Sequence, residues 1–135
     1  MLTIDASVWV NADSPTEPGS AVSAEFLKRI AAANTQVFVP TLLRVEVAAA
    51  IARGTKDSEV ALAFAEKLSN LPFLRWIALD DALAARAALL AANHGLRGAD
   101  AVYAAVAITH GCQLVSLDRE HLIRLAPLMN VVVPL

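Results

Sequence analysis

The sequence predicts an α/β fold in which a parallel β-sheet is covered on both faces by helices. Short apolar runs alternate with longer helix-like runs throughout the 135 residues. The apolar runs lack the polar alternation of a sheet with one solvated face, which is typical of strands buried on both sides. The chain length suits one domain, and neither an internal repeat nor a linker divides it. Residues 1–135 are therefore expected to form a single domain.

The predicted strands are short runs rich in apolar and β-branched residues. They cover residues 2–4, 36–39, 74–79, 114–117 and 131–133. The second strand is closed by Pro40, which has no amide hydrogen to continue a strand ladder. A central sheet of four to five strands is expected from this pattern.

The predicted helices are recognised from apolar spacing and from their terminal residues. A helical turn at residues 8–10 precedes residues 11–20, which are rich in turn formers and are expected to form a mobile loop. The longer helices cover residues 21–33, 41–53, 81–94, 100–110 and 119–125, and a further helix is capped by Asp57. Gly54 and Gly111 are expected to end helices, because glycine readily adopts the left-handed backbone conformation.

Composition excludes several classes of protein. Hydrophobic residues make up 57% of the chain and the mean hydropathy is +0.55, although much of this is alanine. We therefore expect a partner or a second copy to cover part of the apolar surface. The longest uncharged stretch, residues 101–117, is divided by Gly111 and is not expected to span a membrane. No secretory signal is visible and Cys112 is the single cysteine, which indicates a cytoplasmic protein without disulfides.

The charge balance neither requires nor excludes a nucleic-acid partner. The formal net charge is −2, unlike that of a general nucleic-acid binder. If four of the 13 acidic residues shared a metal site, 11 basic residues would face nine remaining acids, and the rest of the chain would be slightly positive. A protein that acts on a nucleic acid needs only a local basic rim.

Three acidic residues lie next to predicted strand or helix ends. Asp5 directly follows the first predicted strand and Asp118 directly follows the fourth, so both are expected at the carboxyl edge of the sheet, where open α/β proteins place their sites. Each could instead serve only as a helix N-cap, because Asp is a favoured cap. Asp100 lies in the first turn of an Ala-rich helix, where the helix dipole alone would stabilise it.

Glu46 is the acidic residue that is hardest to explain structurally. It lies in the middle of a predicted helix, and its neighbours on the same face are the apolar residues Leu42, Leu43, Ala49 and Ala50. No local cation supports its charge, so burial of the carboxylate would be costly. Exposure to solvent is the alternative. Four converging carboxylates would repel one another unless a divalent cation bound, and oxygen ligation suits Mg²⁺ or Mn²⁺.

Four motifs together resemble the PIN-domain family, specifically the VapC-type toxins of toxin–antitoxin pairs. They are IDAS at 4–7, LRVEV at 43–47, DAVYAAVA at 100–107 and GCQLVSLD at 111–118. The similarity extends over essentially the whole chain, in the order and spacing of the family. The resemblance implies a three-layer α/β/α fold with strand order 3-2-1-4-5, inhibition by a partner antitoxin and, usually, a homodimer.

The resemblance also implies a Mg²⁺- or Mn²⁺-dependent endoribonuclease that cleaves RNA phosphodiesters with a metal-activated water. The residues that match the catalytic acidic quartet of the family are Asp5, Glu46, Asp100 and Asp118. Of these, the metal ligands would be Asp5, Asp100 and Asp118. Ser7 and Ser116 match hydroxyl positions that orient the acids.

Basic residues close to these acids in the sequence are candidate contacts for RNA phosphates. They are His94, Arg97 and Arg119. His94 could equally be a helix-end residue that interacts with the helix dipole. We expect His121 to be a solvated residue of a short helix. Trp9 and Trp76 are expected in the core or at an interface rather than as stacking platforms for bases.

Two other functions are compatible with an acidic site. A phosphotransferase or phosphatase is disfavoured, because such sites usually need a late lysine and no lysine follows Lys67. The second alternative is a PIN-like binding module that acts mainly through complex formation with an antitoxin and has little catalytic turnover. The complete quartet favours the nuclease, since a purely structural copy has no need of Glu46.

Overall fold

The structure is a computed structural model that describes residues 1–135 and is built on one five-stranded sheet. The strands are β1 (Leu2–Ile4), β2 (Val37–Pro40), β3 (Leu74–Ile77), β4 (Gln113–Val115) and β5 (Val131–Val132). All of them are parallel, and they lie in the order β3-β2-β1-β4-β5. The predicted α/β class, the parallel sheet and the strand order are confirmed.

Seven helices connect and cover the strands. They are α1 (Ala6–Ala12), α2 (Ser20–Ala32), α3 (Leu42–Thr55), α4 (Ser58–Ser69), α5 (Asp81–His94), α6 (Gly98–His110) and α7 (Arg119–Leu125). None of these helices combines the length and the apolar character needed to cross a membrane.

Both faces of the sheet are buried, as the apolar strands predict. Thr3 and Ile4 point to opposite faces of β1 and are both inaccessible to solvent, and the same holds for Leu114 and Val115 in β4. Helix α6 packs against β1, β2 and β4, and α5 packs against α6. Helix α6 is therefore enclosed, and every residue from 101 to 107 is buried.

Most observed element ends lie within one or two residues of the predicted ones, and the end of α3 shows why they differ. Gly54 does not end this helix, which continues to Thr55. Lys56 adopts the left-handed conformation instead, with φ of 58°. The Asp57 carboxylate then caps α4, as predicted, by accepting two backbone N–H groups.

The segment predicted as a mobile loop at residues 11–20 is shorter in the structure and is anchored to α1. Because α1 extends to Ala12 and α2 begins at Ser20, only residues 13–19 connect the two helices. The buried Asn11 side chain donates to the Pro18 carbonyl over 3.0 Å and accepts from the Ser23 hydroxyl over 2.7 Å. These two bonds hold the connection against both helices.

The strand order places a crevice beyond the carboxyl ends of β1 and β4. Strands β2 and β3 lie on one side of β1, and β4 and β5, which follow later in the sequence, lie on the other side. Open α/β sheets bind their ligands at such a point, where the strand order reverses its direction. The register aligns Ile4 with Val115, so Asp5 and Ser116 lie side by side at this edge.

Substitution of Ala104 tests the enclosure of α6. The Ala104 side chain is inaccessible to solvent, so the larger side chain of leucine has no free space. We expect Ala104→Leu to lower the free energy of unfolding by about 1–3 kcal/mol, measured by urea denaturation. Ala85→Leu on the exposed side of α5 is the matched control, because alanine and leucine have similar helix propensities. Equal stability of the two variants would contradict the enclosed position.

Candidate functional site

One cavity at the carboxyl edge of the sheet contains the four acidic residues singled out from the sequence. Its volume is about 130 Å³. It is lined by Asp5, Ala6, Ser7, Glu46, Asp100, Tyr103 and Asp118. These acids come from the end of β1, the middle of α3, the first turn of α6 and the residue before α7. Folding therefore brings together four carboxylates that are distant in the sequence.

Asp5 is a buried carboxylate whose two oxygens are both hydrogen-bonded. Only 5% of the residue is exposed. Its Oδ1 accepts from the Ser7 backbone N–H over 3.0 Å and from the Ser7 hydroxyl, while its Oδ2 accepts from the Ser116 hydroxyl over 2.5 Å. Asp5 thus caps α1 and lines the cavity at once, so the two interpretations of this residue are not exclusive.

Glu46 points from α3 toward the other acids, rather than away from them into solvent. Burial raises the pKa of the Glu46 carboxyl, the neighbouring Tyr103 hydroxyl offsets part of this effect, and the charges of Asp5 and Asp100 raise the pKa further. Its Oε1 atom is buried without a hydrogen-bond partner. Burial also raises the pKa of Tyr103, which therefore remains a neutral phenol beside Glu46.

His121 lies in the candidate site, and sequence reasoning missed it. The expectation that it is solvated is wrong, since only 2% of the residue is exposed. Its Nδ1 lies 3.2 Å from Asp5 Oδ2 and 3.2 Å from the Ser116 hydroxyl, and its Nε2 lies 2.8 Å from Asp100 Oδ1. Helical spacing could have revealed the burial, because His121 lies one turn before Leu125, which is inaccessible to solvent.

The ring of His121 is held between two carboxylates, and this contact changes the pKa of His121 and of Asp100. Burial lowers the pKa of His121, but the carboxylates of Asp100 and Asp5 outweigh burial and raise the pKa to about 9. Burial has the opposite effect on Asp100, because it raises the pKa of a carboxyl group. The adjacent His121 and Arg97 outweigh burial, so the pKa of Asp100 is lowered.

Arg97 joins the two acids at the outer side of the cavity. Its Nε lies 2.9 Å from Asp100 Oδ2 and its Nη2 lies 2.5 Å from Asp118 Oδ2. The Arg97 side chain is 67% exposed, so solvent screens these ion pairs and the side chain can leave the acids at little cost. The acids in turn raise the pKa of the guanidinium.

Asp118 lies farther from its strand than the sequence suggested. Strand β4 ends at Val115, so Ser116 and Leu117 separate it from Asp118. Asp118 caps α7 by accepting the Glu120 backbone N–H over 2.9 Å. Its second oxygen accepts from Arg97. As with Asp5, one carboxylate ends a helix and lines the cavity.

The remaining predicted residues occupy the rim or the core. His94 ends α5 and Arg119 begins α7, and both are exposed beyond the carboxylate cluster. Trp9 is buried in the core, as expected. Trp76 packs against the core and stacks under Arg44, whose guanidinium carbon lies 4.7 Å from the ring centroid.

The donor atoms of the cavity fit a divalent cation. Ligand atoms of Asp100, Asp118 and His121 lie within 4.8 Å of one another. Glu46 contributes a buried carboxylate oxygen that no protein group satisfies. A set dominated by carboxylate oxygens suits Mg²⁺ or Mn²⁺.

The family model of the PIN domain matches residues 2–126 of this chain. The chain therefore belongs to the PIN domain family, as the four motifs suggested. No curated protein sequence matches it.

Solved structures with the same fold include several from toxin–antitoxin systems. A toxin–antitoxin complex from Klebsiella pneumoniae is 18% identical with a TM-score of 0.71, covering 100% of this chain and 98% of that one. VapBC2 from Rickettsia felis, bound to a DNA fragment from its promoter, is 14% identical with a TM-score of 0.73, covering 98% and 97%. VapC20 from Mycobacterium tuberculosis, described as a sarcin–ricin-loop-cleaving toxin, is 17% identical with a TM-score of 0.72, covering 87% and 90%. These similarities establish the fold.

Replacement of Glu46 tests the electrostatic cost of the cavity. At pH 7 without metal, we expect Glu46→Gln to raise the free energy of unfolding by about 1 kcal/mol, because it removes a partly buried charge that faces two other carboxylates. Below pH 4 the carboxyl is protonated in both the folded and unfolded states, so the two proteins should differ little. As the pH rises through the unfolded pKa and then the raised folded pKa, the wild type should lose stability relative to the variant.

The measurement is urea denaturation with a chelator present, between pH 3 and pH 8. Glu59→Gln on the exposed surface of α4 is the matched control and should show no such trend. A Glu46→Gln protein that is less stable than the wild type at pH 7 would contradict this account.

Proposed function

We propose that this protein is a metal-dependent endoribonuclease and the toxin of a toxin–antitoxin pair. The observation that carries the proposal is the convergence of Asp5, Glu46, Asp100 and Asp118 on one cavity in a chain of the PIN family. Four carboxylates that share one cavity repel one another, and this repulsion lowers the stability of a protein that uses them only for folding. The description of the similar Mycobacterium tuberculosis protein as a sarcin–ricin-loop-cleaving toxin supports RNA as the substrate.

The ion would be Mg²⁺ or Mn²⁺. Asp100 and Asp118 would bind it directly, and Asp5 would either be a third ligand or lie directly behind the ligands. When bound, such an ion lowers the pKa of a water molecule, orients it, and neutralises charge on the phosphodiester. The orphaned oxygen of Glu46 supports this assignment, because a buried carboxylate oxygen without a partner is expected to face a cation or its hydration water.

The residues of the chain divide the remaining work. Ser7 and Ser116 hold the Asp5 carboxylate in one orientation. Glu46 has a raised pKa, so its carboxylate suits the role of a base that accepts a proton from the attacking water. Arg97 lies at the open side of the cavity and the exposed Arg119 directly follows Asp118, so their guanidinium groups are the proposed contacts for RNA phosphates. His94 is a further rim candidate.

A protein partner and a second copy are the proposed occupants of the apolar surface. Large hydrophobic side chains are exposed on α4, α5 and α7: Leu62 at 65%, Leu89 at 63% and Ile123 at 75%. Similar chains come from structures described as a toxin–antitoxin complex and as VapBC2 and FitAB bound to DNA fragments, which supports an antitoxin partner. We also propose that residues 1–135 act as one domain, a view supported by a single cluster of 25 buried hydrophobic residues.

Cleavage of RNA by the purified protein tests the nuclease. We expect activity with Mg²⁺ or Mn²⁺, loss of activity with chelator, and a fall of roughly 100-fold or more in Asp100→Asn, because this change removes a charge that holds the ion. The matched control is Asp81→Asn on the exposed first turn of α5, which should retain activity. Metal-independent cleavage, or full activity in Asp100→Asn, would exclude the mechanism. A folded, metal-binding protein with no cleavage of any RNA would instead favour the binding module.

Removal of Arg97 tests whether it competes with the metal. Because its guanidinium occupies the space between Asp100 and Asp118, we expect Arg97→Gln to increase Mn²⁺ affinity severalfold, measured by calorimetric titration. Arg119→Gln changes the net charge equally but contacts neither acid, so its affinity should change less. An equal effect of the two substitutions would show that Arg97 acts only through overall charge.

A further inference from the structure

We propose that His121 supplies a nitrogen ligand to the divalent ion, so that the metal centre of this protein is a mixed nitrogen and oxygen site. This inference rests on the metal-dependent function proposed above. It concerns a residue outside the acidic quartet, carried by the short helix α7. The argument uses the burial of the ring, the contacts of each ring nitrogen and the spacing of the neighbouring oxygens.

One nitrogen of the His121 ring is oriented by a carboxylate and a hydroxyl. Nδ1 lies 3.2 Å from both Asp5 Oδ2 and the Ser116 hydroxyl. Histidines that bind metals are usually fixed in this manner, with the second ring nitrogen donating to a carboxylate behind the site. Because the ring is 98% buried among these groups, its direction is set by packing before any ion arrives.

The other nitrogen lies beside Asp100 and Asp118, two acids that line the cavity, and has no properly directed hydrogen bond. Nε2 is buried and has no hydrogen-bond partner, although Asp100 Oδ1 lies only 2.8 Å away. The short contact brings the two atoms together, but its direction does not satisfy the ring nitrogen. A buried polar atom without a hydrogen bond lowers the stability of the fold, and a bound ligand would remove that cost.

The spacing of the donor atoms suits a shared ion. Adjacent ligands of an octahedral ion with bonds of about 2.1 Å lie roughly 3 Å apart. The observed Nε2 to Asp100 separation of 2.8 Å matches that value, and the Asp118 oxygen completes a set within 4.8 Å. Asp5 differs, because hydrogen bonds already occupy both of its oxygens. Asp5 therefore orients the His121 ring through Nδ1 in addition to lying next to the proposed ion site.

Binding of the divalent ion changes the contacts that His121 and Arg97 make with the acids. Without the ion, Nε2 lies 2.8 Å from Asp100 Oδ1. An ion that binds Nε2 displaces any proton on that atom to solvent, while Nδ1 stays directed at Asp5 and the Ser116 hydroxyl. The exposed Arg97 moves off Asp100 and Asp118 in the same step.

The chemical consequence is a preference among ions. Mg²⁺ binds oxygen ligands almost exclusively, whereas imidazole suits the later divalent metals, and Mn²⁺ accepts both. A site that contains His121 is therefore expected to bind Mn²⁺ more tightly than Mg²⁺, by roughly tenfold or more. Loss of the imidazole should reduce that ratio and leave a weaker, oxygen-only site.

Pulsed electron paramagnetic resonance of Mn²⁺ bound to the full-length protein tests the inference directly. We expect a ¹⁴N coupling of a directly bound imidazole, which changes to a ¹⁵N coupling when the histidines are labelled with ¹⁵N. The coupling should disappear in His121→Gln and persist in the matched controls His94→Gln and His110→Gln. Calorimetric titration of Mn²⁺ and Mg²⁺ gives the affinity ratio for each protein.

The outcomes separate this inference from the proposed nuclease function. Bound Mn²⁺ without nitrogen coupling in the wild type, or with coupling retained in His121→Gln, would overturn the inference even if RNA is cleaved. Nitrogen coupling in a protein that cleaves no RNA would support the metal ligand and reject the nuclease. If His121→Gln fails to fold, the isotope comparison in the wild-type protein, with the two control variants, still decides the question. Absence of any specific Mn²⁺ binding would reject both proposals.

Discussion

The arrangement of this protein depends on holding four carboxylates together against their mutual repulsion. Without compensation, such a cluster would be protonated or would separate. The structure counters the repulsion with two cations of different character: the buried ring of His121 between Asp5 and Asp100, and the exposed guanidinium of Arg97 across Asp100 and Asp118. Glu46 is the acid that neither cation contacts, and its raised pKa shows where the remaining cost falls.

The parallel sheet makes this convergence possible because its edge collects chain segments that are far apart in the sequence. The alignment of β1 with β4 puts Asp5 next to Ser116, and helix α6 brings Asp100 against the same edge. Helix α6 can approach so closely because its buried face consists largely of alanine, together with Tyr103, which lies beside Glu46. The packing of the core and the geometry of the site therefore arise from the same small side chains.

Helix capping and the candidate site share single residues at this edge. Asp5 and Asp118 each stabilise the first turn of a helix and also present a carboxylate to the cavity. Asp caps are favourable to folding, whereas gathering them in one place is unfavourable, so the two effects oppose each other. A bound cation would resolve the conflict, which explains how a short chain can retain an otherwise destabilising cluster.

The sequence by itself determined the α/β class, the parallel sheet and most of the element limits, because apolar periodicity and capping residues act over a few neighbouring positions. It also singled out Glu46, since a mid-helix acid without a nearby cation is visible locally. Helical spacing could have indicated that His121 is buried, but only the tertiary structure decided that its ring lies between two carboxylates and that Arg97 crosses Asp100 and Asp118. Those contacts depend on how α7 and α6 dock on the sheet edge, and docking is a long-range property that no local pattern encodes.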